Sequence, residues 1–419
     1  MKILFLSENF PPETNAAATR VFERACHWVA WGHEVTVVTC APNFPHGKVF
    51  DGYRNDWLQR ETVEGIHVIR MKTYIAPNQG TGRRILDFLS FGATGFWGGL
   101  MAERPDVIAA TSPQFFAAVA GWAVGTARGI PFVFELGDLW PASITAVGAM
   151  RPSLGLQMME HLEMFLYRQS EAIAALTPSF KENLVSRGIR PEKIGIVVNG
   201  VDLSRYGPRK PDDTLAEQWG LKDRFVVGYV GTHGMAHALG NVLNTAELLR
   251  ERAPEVRFLL AGAGAERRQL VVDASRRGLD NVIFMPSQPK EMMPAIWSLC
   301  DVALVHLKNS PVFAGVIPSK IFEAMGMGLP LLLAAPPGEA TAIVEGHGAG
   351  LCVAPEDPAA LADAVVQLME DDALRRTLTQ KSLGAAPRHT REKQAEEMLQ
   401  VLKLAAEGRG YEVSRELGA

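Results

Sequence analysis

The sequence predicts an α/β protein built as two tandem Rossmann-like, doubly wound domains, and three observations carry that prediction. The chain has 419 residues, too many for one ordinary domain and comfortable for two. Short, nearly continuous apolar runs alternate with helical patterns, as the strands of a parallel sheet buried on both faces do. The alternation breaks once, in the proline- and charge-rich stretch 202–223, and then restarts.

In the first half the strand-like runs are KILFLS (2–7), EVTVVT (34–39), IHVIRM (66–71), DVIAATS (106–112), PFVFEL (131–136), AIAAL (172–176) and IGIVV (194–198), with helical patterns at 16–31 and 153–170. The second half offers FVVGYVG (225–231), VRFLLAG (256–262), VIFMPS (282–287), VALVHL (302–307), PLLLAA (330–335) and GLCVAP (350–355), with helices at 240–252 and 264–277. This divides the chain into an N-terminal domain over 1–203, a linker over 204–223, a C-terminal domain over 224–385 and a helical tail over 386–419 that can pack back toward the N-terminal domain. Ligands of such sheets bind outside the carboxyl ends of the strands, so with two domains the expected site is the cleft between them.

Composition narrows the function. A net charge of −4 gives no support for nucleic acid as a partner. Cys26, Cys40, Cys300 and Cys352 have neither disulfide-framework nor zinc spacing, and MKILFLSENFPPE turns polar too soon for a signal peptide. A reducing, cytoplasmic setting is expected.

The chemistry should sit just after the strands. GYVGTHGMAHALGN (228–241) places Gly231, Thr232, His233 and His237 before a helix starting near Gly240. Glycine-freed backbone amides make an anion site there, with the histidines as added phosphate donors; a metal pair or a plain exposed loop are the alternatives. Gly262 and Gly264 in LLAGAGAERRQL make two thirds of a dinucleotide fingerprint, but Arg267 occupies the third place, which argues against a dehydrogenase. In PSKIFEAMGMGLP (318–330), Ser319 is a candidate N-cap, Lys320 falls in the first helical turn and Glu323 three residues on. A cation there opposes the helix dipole, so it makes sense if it meets a phosphate; the glutamate can then accept two hydrogen bonds from a ribose diol. A surface lysine beside a solvated glutamate is the bland alternative.

PSKIFE resembles the nucleotide-binding motif of retaining glycosyltransferases of family four, which have the two-domain GT-B fold, and the similarity runs almost end to end. AIAALTPSFKENLVSRGIRPEKIGIVVNGVD (172–202) is similar to the family's junction segment, and PLLLAAPPGEATAIVEGHGAGLCVAPEDPAALADAV (330–365) to the close of its donor domain. The resemblance implies that Glu323 holds the ribose while the adjoining helix N-terminus faces the diphosphate. Two departures stand out: the glutamate usual eight positions earlier is Gly315, and the phosphate loop lacks its usual Arg and Lys, leaving His233 and Lys320 for charge stabilisation. GTHGMAH, PSKIFE and DLWP together resemble a cell-envelope branch that includes L-fucosamine transferases acting on lipid-linked oligosaccharides. The implied partners are a nucleotide-diphosphate sugar, with UDP the first expectation, and a glycan or polyprenyl-diphosphate-linked acceptor. No cofactor is implied.

The first domain then becomes the acceptor side. Glu13 and Asn15 follow the first strand, Ser112 another, and Glu135, Asp138 and Trp140 a third; a strand-end carboxylate such as Asp138 can orient an acceptor hydroxyl or simply cap the next helix. The branch commonly carries Arg and Glu where this chain has Gly137 and Ala142. No Asp-x-Asp occurs, so a metal-independent reaction is expected, with preorganised donors meeting the leaving diphosphate. A sugar-nucleotide epimerase and a non-catalytic scaffold are the competing readings. Finally, the helical segment 83–104 sets Asp87, Ser90, Thr94 and Gly98 opposite Phe88, Phe96, Trp97 and Leu100, with Arg83 and Arg84 at its start. It suits either peripheral contact with anionic lipid or packing against the sheet.

Overall fold

The computed structural model describes residues 1–44, 47–75, 81–112, 115–139 and 153–417. They form two compact units, one of 1–199 with 391–419 and one of 200–390. The stretch 204–223 counts with the second unit and carries a short helix, Asp213–Gln218, whose first turn is capped by the Asp212 side chain accepting from Leu215 N.

The first unit holds β1 (Lys2–Leu6), β2 (Glu34–Cys40), β3 (Leu58–Val63), β4 (Ile66–Met71), β5 (Val107–Thr111), β6 (Phe132–Leu136), β7 (Ala172–Ala175) and β8 (Ile194–Ile196). They pair in the order β3-β4-β2-β1-β5-β6-β7-β8, parallel except for the β3–β4 pair. β3 is absent from the sequence reading because it is an exposed edge strand whose residues include Gln59, Arg60 and Glu61, not an apolar run. On one face Ile3, Phe5, Val35, Val37 and Val107 pack with Val21 and Trp28 of the helix Ala16–Ala30 and with Met398 and Leu402 of the helix Arg391–Ala406. Trp28 Nε1 also donates to the Ala395 carbonyl at 2.9 Å, so the last long helix is part of this core.

The second unit holds β9 (Phe225–Val230), β10 (Val256–Ala261), β11 (Val282–Met285), β12 (Val302–His306), β13 (Leu331–Ala334) and β14 (Gly350–Val353), all parallel, in the order β11-β10-β9-β12-β13-β14. Strand order reverses between β9 and β12 here, and between β1 and β5 in the first sheet. A crevice opens outside the carboxyl ends at such a switch point. The topology therefore singles out residues 231–238 and 307–319 in one unit, and residues following β1 and β5 in the other.

Candidate active site

In the second unit the loops after β9 and β10 close on each other. Gly231 N donates to the Ala261 carbonyl (2.9 Å) and His233 N to the Ala263 carbonyl (2.8 Å). The fit is tight enough that a Cβ on Gly262, at φ +145°, would stand 1.9 Å from the Gly231 carbonyl oxygen. Only glycine is compatible with that approach. Gly262 thus serves to seat the Gly231–Thr232 turn.

The helix Lys320–Met327 follows the loop after β12. Ser319 occupies the N-cap position, but its side chain makes no capping hydrogen bond, which corrects the expected role. Lys320 is 8% exposed, and its Nζ has no hydrogen-bond acceptor among the described residues. The ammonium lies 3.5 Å from the centroid of the Tyr229 ring, and a Cβ on Gly231 would come within 2.9 Å of it. Burial drives its pKa down to about 7, with Glu323 pulling the other way. Glu323, one turn on, accepts from Trp297 Nε1 at 3.1 Å. Trp297 is wholly buried at the end of the helix Met293–Trp297, so it fixes the carboxylate. No spacing in the sequence announces that partner, because the two residues come from different elements.

The histidines separate. His233 is 0% exposed between Tyr229 and Phe284, and neither ring nitrogen has a partner among the described residues. Burial first, then Arg267 and Lys320, lower its pKa to about 4, so it is neutral near pH 7 and has one N–H to give. His237 is lowered to about 3, mainly by burial, and its Nδ1 meets the His306 carbonyl at 3.3 Å. Its Nδ1 is therefore engaged within the fold rather than open to a ligand. His306 is itself buried and fixed by Asn241 Nδ2, 3.0 Å from its Nε2. Gly315 ends the short turn Pro311–Gly315 and is half-buried.

In the first unit most of the expected acceptor residues turn out to be internal. Glu13 accepts from Asn9 Nδ2 (2.7 Å), Asn43 N (2.7 Å) and Phe44 N (2.8 Å), fixing two loops to each other. Asn15 caps the helix Ala16–Ala30 by accepting from Ala18 N at 2.9 Å. Glu135, 1% exposed, is ion-paired to Arg20 Nε (2.9 Å) and Arg24 Nη1 (2.7 Å). Burial alone would raise its pKa, but the two arginines outweigh that and hold it at about 2. Ser112 Oγ accepts from Gly137 N (2.8 Å) and Asp138 N (3.3 Å), so it shapes the turn that presents the half-buried Asp138. Glu13, Asn15, Glu135 and Ser112 are consumed by the fold, and of the six expected residues Asp138 stays half-exposed at the strand end. Trp140 lies outside the described residues.

The helix Thr81–Met101 also differs from expectation. Asp87 and Gly98 are buried, Gly98 against Val38 and Met71, and Phe88 and Phe96 are half-buried. The exposed line is Ile85, Leu89, Trp97 (61% exposed) and Met101, with Arg83 exposed at its start; the Arg84 side chain is outside the described residues. Among the described residues no helix is long and apolar enough to cross a membrane, and no group of three or more His, Cys, Asp or Glu side chains could hold a metal ion.

The chain is similar to known proteins. Residues 15–200 match a family model described as a glycosyl transferase 4-like domain, and residues 212–383 match one described as glycosyl transferases group 1. The colanic acid biosynthesis glycosyl transferase WcaI of Escherichia coli (strain K12) is 26% identical over 389 residues, covering 88% of this chain and 92% of that protein. The GDP-mannose-dependent alpha-mannosyltransferase of Mycobacterium tuberculosis is 24% identical over 378 residues, covering 88% and 89%. Among solved structures, Anabaena HepE in complex with UDP and glucose superposes with a TM-score of 0.72 at 20% identity, over 96% of this chain and 99% of that one. The two family models between them take in most of the chain, and the two parallel sheets match the GT-B fold. The chain belongs to the family-four glycosyltransferases of the GT-B fold.

Proposed function

We propose that this glycosyltransferase is retaining and metal-independent, and moves a sugar from a UDP-sugar to a lipid-linked or envelope polysaccharide precursor. The observation that carries the donor site is the buried Lys320 ammonium, without an acceptor, beside the Gly231 turn at the β9/β12 switch point. An unpaired buried ammonium costs several kcal/mol, roughly, and a diphosphate there would repay it. In this reading Lys320 and the His233 N–H meet the charge that builds on the leaving diphosphate, and Glu323, held by Trp297, accepts the ribose diol. Asp138 orients the acceptor hydroxyl, which attacks from the face the nucleotide leaves. The HepE complex with UDP supports a uridine donor, while the GDP-mannose-dependent relative makes guanosine the rival base. WcaI supports an envelope polysaccharide as the product class.

Calorimetric titration of UDP, GDP and ADP in the presence of EDTA tests the donor site. One of them should saturate, and Glu323→Ala should weaken it in a protein that still folds. Absence of binding by all three overturns the reading and favours a non-catalytic scaffold, the alternative that Gly315 supports. The exposed line Ile85–Leu89–Trp97–Met101 beside Arg83 further supports a polyprenyl-linked acceptor reached from the membrane surface. Cosedimentation with phosphatidylglycerol vesicles should fall in Trp97→Ser; equal binding by both proteins would remove that helix from the surface.

A further inference from the structure

An aromatic ring is negative on its face, so an ammonium set over that face is favoured in its charged form even without a hydrogen-bond acceptor. Lys320 has this arrangement. Its Nζ lies 3.5 Å from the centroid of the Tyr229 ring, and a Cβ on Gly231 would come within 2.9 Å of it, so the ammonium sits between the ring and the turn that follows β9. Tyr229 also sets that turn, because its hydroxyl donates to the Thr232 carbonyl at 2.7 Å. The side chain is 0% exposed, and burial pushes the hydroxyl well above its ordinary pKa, so it stays a donor. One residue of β9 thus holds the cation with its ring and the adjoining backbone with its hydroxyl. The neighbouring groups leave the first task to the ring. Glu323, on the same helix as Lys320, favours the ammonium but gives one carboxylate oxygen to Trp297 Nε1. His233 and His237 after β9 and His306 at the end of β12 feel the Lys320 charge, and burial lowers them to about 4, 3 and 4, so all three are neutral near pH 7.

We propose that Tyr229 is a positioning residue of the donor site: it keeps the Lys320 ammonium charged and in place while the site is empty, ready for a nucleoside diphosphate. Being wholly buried, it acts through Lys320 and the Gly231–Thr232 turn and not by touching the ligand. A cation that needs no rearrangement loses less on binding. The inference rests on the donor-site reading above. Packing alone would also bury a tyrosine here, so the test changes the charge on the ring face at constant shape.

Tyr229→Phe removes the hydroxyl and keeps the ring; replacement of Tyr229 by trifluorophenylalanine nearly keeps that shape and strips most of the negative charge from the face. Both proteins and wild type are titrated with UDP and GDP across a pH series, and their thermal unfolding without nucleotide is followed over the same series. Wild-type stability should rise with pH from about 7, where Lys320 loses its proton in the fold. In Tyr229→Phe the rise should begin at the same pH, and in the fluorinated protein about one pH unit lower, as a weakened cation–ring contact requires. Affinity should follow: above pH 7 the fluorinated protein should bind nucleoside diphosphate about tenfold more weakly than Tyr229→Phe, and the two should converge in acid. Tyr229→Phe should itself bind about threefold more weakly than wild type at every pH, through the freed Thr232 turn. Equal onsets and equal affinities in the two phenylalanine proteins would make Tyr229 a packing residue and overturn the inference. Failure of both UDP and GDP to bind wild type at every pH overturns the donor-site reading, a separate result, because the unfolding curves still judge the ring and the ammonium.

Discussion

The strand ends of the two units use similar residue types in opposite ways. In the first unit Glu13, Asn15 and Ser112 meet hydrogen-bond partners within the fold, and Glu135, although its Oε2 makes no hydrogen bond, is charge-paired through Oε1. In the second, Lys320 Nζ and both nitrogens of His233 are buried with no partner among the described residues. Satisfied polar groups at a strand end hold loops in place; unsatisfied buried ones store a cost that a ligand can remove. Under the proposed donor site the second unit is the side prepared for an anion, and the difference predicts that mutations on the two sides act with opposite signs on stability.

The largest effect should come from Glu135→Ala. It leaves Arg20 and Arg24 buried without their counter-charge, and breaking such a cluster costs about 3–5 kcal/mol. Urea unfolding at pH 7 reads this directly. The pH dependence follows from the depressed carboxyl, about 2 in the fold against an ordinary 4.5. Its contribution is complete above pH 4.5 and is lost as the pH falls toward 2. Wild type should therefore destabilise across that window more steeply than the variant. Equal slopes would mean the cluster is not the ion pair it looks like.

Lys320→Met should do the reverse: stabilise the free protein, by on the order of 2 kcal/mol near pH 6, by removing a buried unpaired charge. It should also weaken nucleoside diphosphate binding about tenfold to a hundredfold, the worth of a charge-assisted contact. With a folded-state pKa of about 7 against 10.5 unfolded, the unfolded chain binds the extra proton between those values. Wild-type stability should thus rise with pH from 7 to 10.5, while nucleotide affinity falls above pH 7 as the ammonium is lost. Thermal melts with and without nucleotide across that range check both signs at once.

This contrast explains what the sequence could and could not reveal. The alternation of apolar runs located thirteen of the strands, because strands covered by helices read as short, nearly continuous apolar runs. Lys320 and Glu323 stand out in the sequence because a charged pair inside an apolar junction is locally anomalous. The internal ties of the acceptor side are hidden in the sequence for the complementary reason. Glu135 follows a strand as a functional carboxylate would, but Arg20 and Arg24, which consume it, come from a helix more than a hundred positions earlier. Trp297 stayed invisible likewise, since its link to Glu323 is a hydrogen bond between elements and not a spacing.

That last contact gives the smallest and sharpest of the three effects. Trp297→Phe keeps an aromatic ring in the core but deletes the N–H that fixes one oxygen of Glu323. The net worth of such a hydrogen bond is about 1 kcal/mol, so nucleoside diphosphate affinity should fall roughly fivefold. If Glu323 takes the ribose diol, the loss must vanish for a 2′,3′-dideoxynucleotide, which cannot use the carboxylate in either protein. A stability change with equal affinity losses for the ribo- and dideoxynucleotide would move Trp297 into the company of Glu135. The second unit would then hold one satisfied pair of its own, and the division between the two strand ends would be narrower than Lys320 and His233 suggest.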